Sequence, residues 1–430
     1  MRAPGIYRHG KANQRGAALM IMIAILVVGF AALLVGELSF SAINNARQQR
    51  TSDALAKAKS ALLGRAVSDD NMPGSLPCPD LMTNIVGTNV PDDGIADLFA
   101  GNDCPSYIGR LPWRTLKLPD LRDGSGERLW YALSPAFRDD SSAQPLNSNT
   151  KGTLLVYNAD GLSLQTKAGY SAVAVIFAPG SPVGSQVRST VAQQNSAANY
   201  LDIANSRDNA VDVGPFIAGT KSDTFNDRLL LITTQDLMPL VEQRVAGVVK
   251  KALDDYYLDS DITPANRYYP WADTIGVNPT YAADDGVTRG WLPDNAVAGP
   301  LPTINWRADS PPLWFFDNQW NRLIYYSVAN SYSASHSLGT LTVDGNTGVR
   351  VLFFMPGTPI GTLTRWFNKL DDYLEDPENN EHDAVPNAVP PPPAVTASAT
   401  PPDDYYITPT SQANDRDRLY WLSSSSTWNP

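Results

Sequence analysis

The sequence predicts an α+β fold: a long amino-terminal helix, with a membrane-spanning first half, carrying two tandem heads, each a helix packed on an antiparallel β-sheet. Three observations predict it. Ala17 to Gly36 is a run of 20 uncharged, mostly apolar residues, and no proline follows until Pro73. A set of short motifs recurs in the same order in both halves of the chain. In each half a helical pattern comes first and short apolar runs separated by turn residues come after it.

The elements follow in chain order. Residues 1–16 hold Arg2, Arg8, Lys11 and Arg15 and no acid. They read as a basic leader. About 20 apolar residues suffice to cross a bilayer as a helix, and a cationic flank of this kind stays on the cytoplasmic side. Residues 17–67 therefore read as a transmembrane helix continued by a spine. In the second part of that helix Leu55, Ala58, Leu62 and Ala66 form one apolar stripe at three- and four-residue steps, suited to packing on a sheet. Met72-Pro73-Gly74 then stops the helix.

Residues 68–235 are expected as head 1 and 236–430 as head 2. The recurrences carry this division. Leu76-Pro77-Cys78-Pro79-Asp80 answers Tyr269-Pro270-Trp271-Ala272-Asp273, and Asp92-Asp93-Gly94 answers Asp284-Asp285-Gly286. The segment from Asp123 to Tyr131 answers that from Asp317 to Tyr325, and Gly152-Thr153-Leu154 answers Gly339-Thr340-Leu341. Pro179-Gly180 answers Pro356-Gly357, Tyr200-Leu201-Asp202 answers Tyr373-Leu374-Glu375, and Asp227-Arg228-Leu229 answers Asp417-Arg418-Leu419. The offsets run only from 173 (Tyr200 to Tyr373) to 194 (Asp123 to Asp317), as loops of unequal length would give. Asp236 to Tyr257 is the helix expected to open head 2, with Thr234 or Asp236 as its N-cap. Strands are expected at 128–133, 154–157, 172–177 and 228–233, and again at 322–328, 341–343, 349–355 and 418–422. Residues 386–402 hold seven prolines and read as an extended loop within head 2.

Charge and chemistry narrow the function. The chain carries −11 overall, and the part after the leader carries −15, since the leader contributes four cations. An acidic body argues against a nucleic-acid surface, which needs a basic field. Neither His336 nor His382 sits at a metal-ligand spacing, and no G-x-S-x-G elbow occurs. Catalysis is not expected. Asp92, Asp93, Asp97, Asp284 and Asp285 are oxygen donors that a calcium ion could use, although neither stretch follows the EF-hand pattern and Asp-Gly pairs commonly make turns. The aromatic residues concentrated in head 2 read either as core or as an exposed binding patch. If the body is exported, an oxidising compartment favours a bridge between the two cysteines, Cys78 and Cys104; two buried thiols are the alternative.

Gln14-Arg15-Gly16-Ala17-Ala18-Leu19, the basic leader before it and the extended helix behind it resemble a type IV prepilin or a type II secretion pseudopilin. The Asp123 and Asp317 segments resemble, in part, the aspartate-x-tryptophan-glycine loop of major pseudopilins. The resemblance implies processing between Gly16 and Ala17 by prepilin peptidase and packing with other subunits in a fibre. It also implies a place in the bacterial inner membrane as a single-pass protein with periplasmic or extracellular heads. Most pilins carry a glutamate at the fifth mature residue, where this chain has Ile21. Together with the bulk and the repetition of the heads, that departure suits a minor subunit at a tip or initiating complex. Calcium is known in some pseudopilin heads, which adds to the acidic stretches above. A signal-anchored surface adhesin and, third, a membrane-anchored periplasmic hydrolase are the competing readings. A cleaved secretory signal fits poorly, because the apolar run is too long.

Overall fold

The computed structural model describes residues 15–82, 90–98, 103–139, 144–164, 172–258, 263–275, 287–293, 311–359, 364–366, 369–374, 376, 379, 404–409 and 417–430. On helix α1 (Arg15–Ser68) it describes the side chains of Met22 and of residues from Ser41 onward. Leader residues before Arg15, Asp284 and Asp285, and the proline-rich stretch 386–402 lie outside the described residues.

α1 is one helix of 54 residues, about 80 Å long at 1.5 Å per residue. The membrane span expected at 17–36 is corrected. Among the described residues, no helix is long and apolar enough to cross a membrane. From Thr51 onward α1 is amphipathic: Ala54, Leu55, Ala58, Leu62 and Ala66 are buried, while Asp53 and Lys57 lie exposed. This part of the helix is laid on the sheet; its charges lie outside the run 17–36. The fold is mixed α+β, and among the described residues the expected transmembrane element is not found. The localisation read from that element, a single-pass protein of the bacterial inner membrane with periplasmic or extracellular heads, is corrected with it.

The first sheet has the order β1 (Ile108–Arg110), β2 (Trp130–Leu133), β4 (Ala172–Ala178), β8 (Arg228–Thr233), all antiparallel. Beside it β3 (Val156–Asn158) and β7 (Phe216–Ala218) pair in parallel, and β5 (Ile203–Ala204) and β6 (Arg207–Asp208) form a hairpin. A short helix α2 (Val191–Gln194) lies between β4 and β5. Every residue of β4 is buried, because the sheet is covered on both faces. Val173, Ala174 and Ile176 join the α1 side, while Val175 and Phe177 meet Trp130, Tyr200 and Phe216 on the other.

β8 runs directly into α3 (Thr234–Tyr257). The second sheet follows, in the order β9 (Arg289–Trp291), β10 (Tyr325–Val328), β13 (Val351–Met355), β15 (Arg418–Leu422), β16 (Trp428–Asn429). Helix α4 (Leu313–Asp317) precedes β10. β11 (Leu341–Val343) pairs antiparallel with β12 (Asn346–Val349) and in parallel with β14 (Tyr405–Tyr406). Strands β9, β10, β13 and β15 thus neighbour one another as β1, β2, β4 and β8 do, and the parallel pair β11–β14 sits where β3–β7 sits in the first half.

α3 joins the two sheets. It packs on α1 and β8. On its other side Trp428 Nε1 donates to the Asp254 carboxylate (3.0 Å), Lys250 Nζ stands 4.2 Å from the Tyr420 ring and Arg418 Nη1 donates to Pro239 O (3.0 Å). Val241, Val245, Val249 and Leu253 are fully buried, and one hydrophobic core runs from α1 through α3 to β10 and β13. Leu146 N–H donates to Asn318 Oδ1 (2.9 Å) and Asn147 Nδ2 to Asn318 O (2.7 Å), so the loops of both halves are also bonded to each other.

Candidate functional site

A cleft of about 730 Å³ opens where α1 leaves the first sheet. Its walls are one turn of α1 around Arg47, the loop Asp123–Ser125, the loop Gly180–Gly184 and the approach to β8 from Lys221 to Arg228. Backbone contact fixes the first loop. Gly124 N–H donates to Thr51 Oγ1 (2.9 Å), and a Cβ on Gly124 would stand 2.2 Å from Arg47 O. Only glycine allows that approach. Asp123 is buried and fully engaged: its Oδ1 accepts from Ser125 N (2.7 Å) and Glu127 N (3.0 Å), and its Oδ2 from Gly180 N (2.8 Å). A single carboxylate so ties the second loop to the first.

Below the approach to β8 lies a pair of buried carboxylates, Asp202 and Asp227. Asp227 Oδ2 accepts from Asp202 N (2.8 Å) and Asn209 Nδ2 (2.9 Å). Asp202 Oδ2 accepts from Asn226 N (2.6 Å) and Asp227 N (3.0 Å), and its Oδ1 from Gln186 Nε2 (2.8 Å). Burial raises Asp227 well above the ordinary carboxylate range, and the charge of Asp202 adds to the rise. Burial raises Asp202 as well. These groups clasp loops together. Their donors are main-chain amides together with the Gln186 and Asn209 side-chain amides, so the pair ties the segments around 186, 202, 209 and 227 to one another.

A second polar knot surrounds the disulfide. Cys78 and Cys104 are bonded, with their Cα atoms 5.4 Å apart. Between them Asp80 is fully buried. Its Oδ2 accepts from Gly94 N (2.8 Å), while Oδ1 has no hydrogen-bond partner among the described residues. Burial pushes its pKa up to about 7. Asp92 pairs with Arg128 (2.6 Å), Asp93 Oδ1 accepts from Ile95 N (2.8 Å) and Asp97 Oδ2 accepts from Leu81 N (2.7 Å). Each calcium candidate of the first half thus holds a protein partner. Among the described residues no group of three or more His, Cys, Asp or Glu side chains could hold a metal ion.

Nearby, the buried Arg110 guanidinium lies 4.6 Å from the Trp130 ring and 4.2 Å from that of Tyr200, over which Arg188 also stands at 4.2 Å. Arg188 is neutralised by Glu127 (2.8 Å). The sequence does not reveal this ladder, because its members come from four separate segments. Gly16 and Ala17 lie in the first turn of α1, remote in sequence from both knots. Among the aromatic residues of the second half, Tyr268, Tyr269, Trp314 and Trp320 are buried in the core; Trp306 lies outside the described residues.

Comparison with protein-family models, with curated proteins and with solved structures finds no match.

Proposed function

We propose that this chain is a structural subunit of a filament of the type IV pilus or type II secretion pseudopilus kind, a minor subunit at the tip or in the initiating complex. Assembly runs through α1. The observation that carries the reading is the division of that helix. From Thr51 onward it is locked into the core, while residues 45–50, one turn and a half, stand exposed outside it. The uncharged run Ala17–Gly36 suits apolar packing between the helices of several subunits. The Gln14–Leu19 junction supports processing after Gly16 by prepilin peptidase. Ile21 in place of an acid supports a position with no subunit above it. The work assigned is assembly, with adhesion by the outer part of the molecule, and no catalysis.

The test is the mass of the amino-terminal peptide of the protein produced with and without prepilin peptidase. A chain starting at Ala17 only in the presence of the peptidase is expected. An intact leader under both conditions overturns the reading.

A further inference from the structure

β8 is an edge strand, and half of its outer edge is open. The ladder decides which groups point outward. Ser134 N–H donates to Val173 O (2.8 Å), so Val173 faces β2 and, by alternation, Ala174, Ile176 and Ala178 face β8. Their partners are Ile232, Leu230 and Arg228. Leu229 and Leu231 therefore turn their N–H and C=O groups away from the sheet. Lys59 agrees with this: its Nζ donates to Leu231 O (2.9 Å) from outside. Lys59 is held in turn by Asp236 (2.9 Å), whose carboxylate also accepts from Thr233 N (2.8 Å). These two side chains cap the far half of the edge. Nothing caps the near half. Among the described residues no group meets Leu229 N–H, Leu229 C=O or Leu231 N–H. All three leucines of β8 are half-buried, in contrast to the fully buried β4.

Two cations stand at the open half. The Arg228 guanidinium donates only to Gln48 O (3.2 Å) and Ser52 Oγ (3.1 Å), and Arg47 is exposed one turn away on α1. Neither meets a carboxylate among the described residues. Asp123 and Asp227 of the same cleft are buried and engaged by other donors, which leaves Asp223 at the rim as the one exposed acid lining the cleft among the described residues, against Arg47, Lys221 and Arg228.

We propose that the open half of the β8 edge, with the cleft at its start, is a docking site for a short extended segment of a partner protein that carries an acidic side chain. Unpaired main-chain donors and acceptors in a row call for an extended strand. The uncompensated arginines call for a carboxylate at the end that enters the cleft. The Lys59–Asp236 cap stops the added strand after Leu231, so the contact spans a few residues. This inference requires the Arg47 turn of α1 to be accessible, and it does not depend on the use made of residues 17–36.

The test uses the full chain and two acetylated, amidated pentapeptides of alternating threonine and valine, one ending in aspartate and one in lysine. Hydrogen exchange is read at single amides. The aspartate peptide is expected to slow exchange at Leu229 and Leu231, and the lysine peptide to leave it unchanged. The Arg47 side chain makes no hydrogen bond or ion pair among the described residues, and Arg47→Glu, with Lys221 and Arg228 left in the cleft, is expected to weaken that preference. Leu231→Pro deletes an outward N–H without deleting a bond to β4, and is expected to abolish the protection at the remaining amide, Leu229. No slowing at either amide by millimolar aspartate peptide, equal slowing by both peptides, or an unchanged preference in Arg47→Glu overturns the proposal. Should Leu231→Pro fail to fold, Arg47→Glu alone decides.

Discussion

Asp80 is the residue at which burial and charge are in sharpest conflict. Burial raises its pKa from 3.8 to about 7; the Gly94 N–H opposes the rise, and Asp92, Asp97 and Asp93 add to it. The folded chain therefore holds a proton that the unfolded chain releases between about pH 4 and about pH 7. The stability this proton contributes is complete below the unfolded pKa and is lost as pH rises through the folded one. Asp80→Asn keeps an acceptor for Gly94 and cannot ionise. The expected outcome is that urea unfolding at pH 5 and pH 8 shows a smaller loss of stability in the variant, by about 2–3 kcal/mol. Equal losses in both proteins would exclude Asp80 as the titrating group. Gly124 gives a second, steric prediction. A methyl group there meets Arg47 O on α1 at 2.2 Å, so Gly124→Ala pushes the loop off the helix and strains the Gly124–Thr51 hydrogen bond. A cost of about 1–3 kcal/mol is expected, read as a lowered Tm. Gly126, where a Cβ meets nothing within 4 Å, loses only the conformational freedom that its φ of +90° uses.

At the scale of elements, the junction of β8 with α3 shows how far the sequence can be read. The apolar runs at 172–177, 228–233 and 418–422 are strands, because β-branched and aromatic residues between turn signals have little else to form. The helix of the second half is present too, and its apolar face is buried. Its N-cap, however, is Thr233, with Asp236 as the reciprocal member of a capping box, where Thr234 or Asp236 was expected as the cap itself. The last residue of a strand and the cap of a helix are the same residue here, and periodicity alone does not reveal such sharing. Thr233→Ala should cost about 1 kcal/mol, visible as a lowered urea midpoint with an unchanged m-value. The expected strand 322–328 is shortened for a related reason: Trp320–Arg322 forms a 3-10 turn after α4, and the strand begins at Tyr325. Val349–Met355 divides at Arg350 between β12 and β13. The candidate site was less legible than the elements. Asp123 stood out because Asp317 recurs at the matching place, whereas Gly124 is matched by Asn318 and gave no signal; the clasp of Asp202 with Asp227 joins residues 25 positions apart, and the open edge of β8 depends on a register that exists only once the sheet is built.

On the whole-molecule scale, the question is whether two similar sheets behave as two units or one. Two beads on a helix would unfold separately. Here α3 buries side chains against α1 and against the second sheet in the same core, and β8 continues into α3 without a linker. Glu242, buried on α3, accepts from Ser148 of the first half and lies 3.5 Å from Arg418 of the second. Stripping either sheet away would expose the apolar faces of α3 and leave that carboxylate without part of its shell, a cost the other half would have to bear. A single cooperative calorimetric transition is therefore expected, with equal van't Hoff and calorimetric enthalpies. The disulfide provides the decisive variation. Cys78–Cys104 closes a loop with a sequence separation of 26 wholly within the first half. Reduction should lower the stability by about 3 kcal/mol, by releasing the unfolded chain from a closed loop. If the molecule is one unit, the whole transition moves down in temperature and remains single, and near-ultraviolet signals dominated by the tryptophans of the second half shift with it. If the halves are separate units, reduction splits off an early transition and leaves the rest in place, and the shared core would then carry less of the stability than its continuity implies.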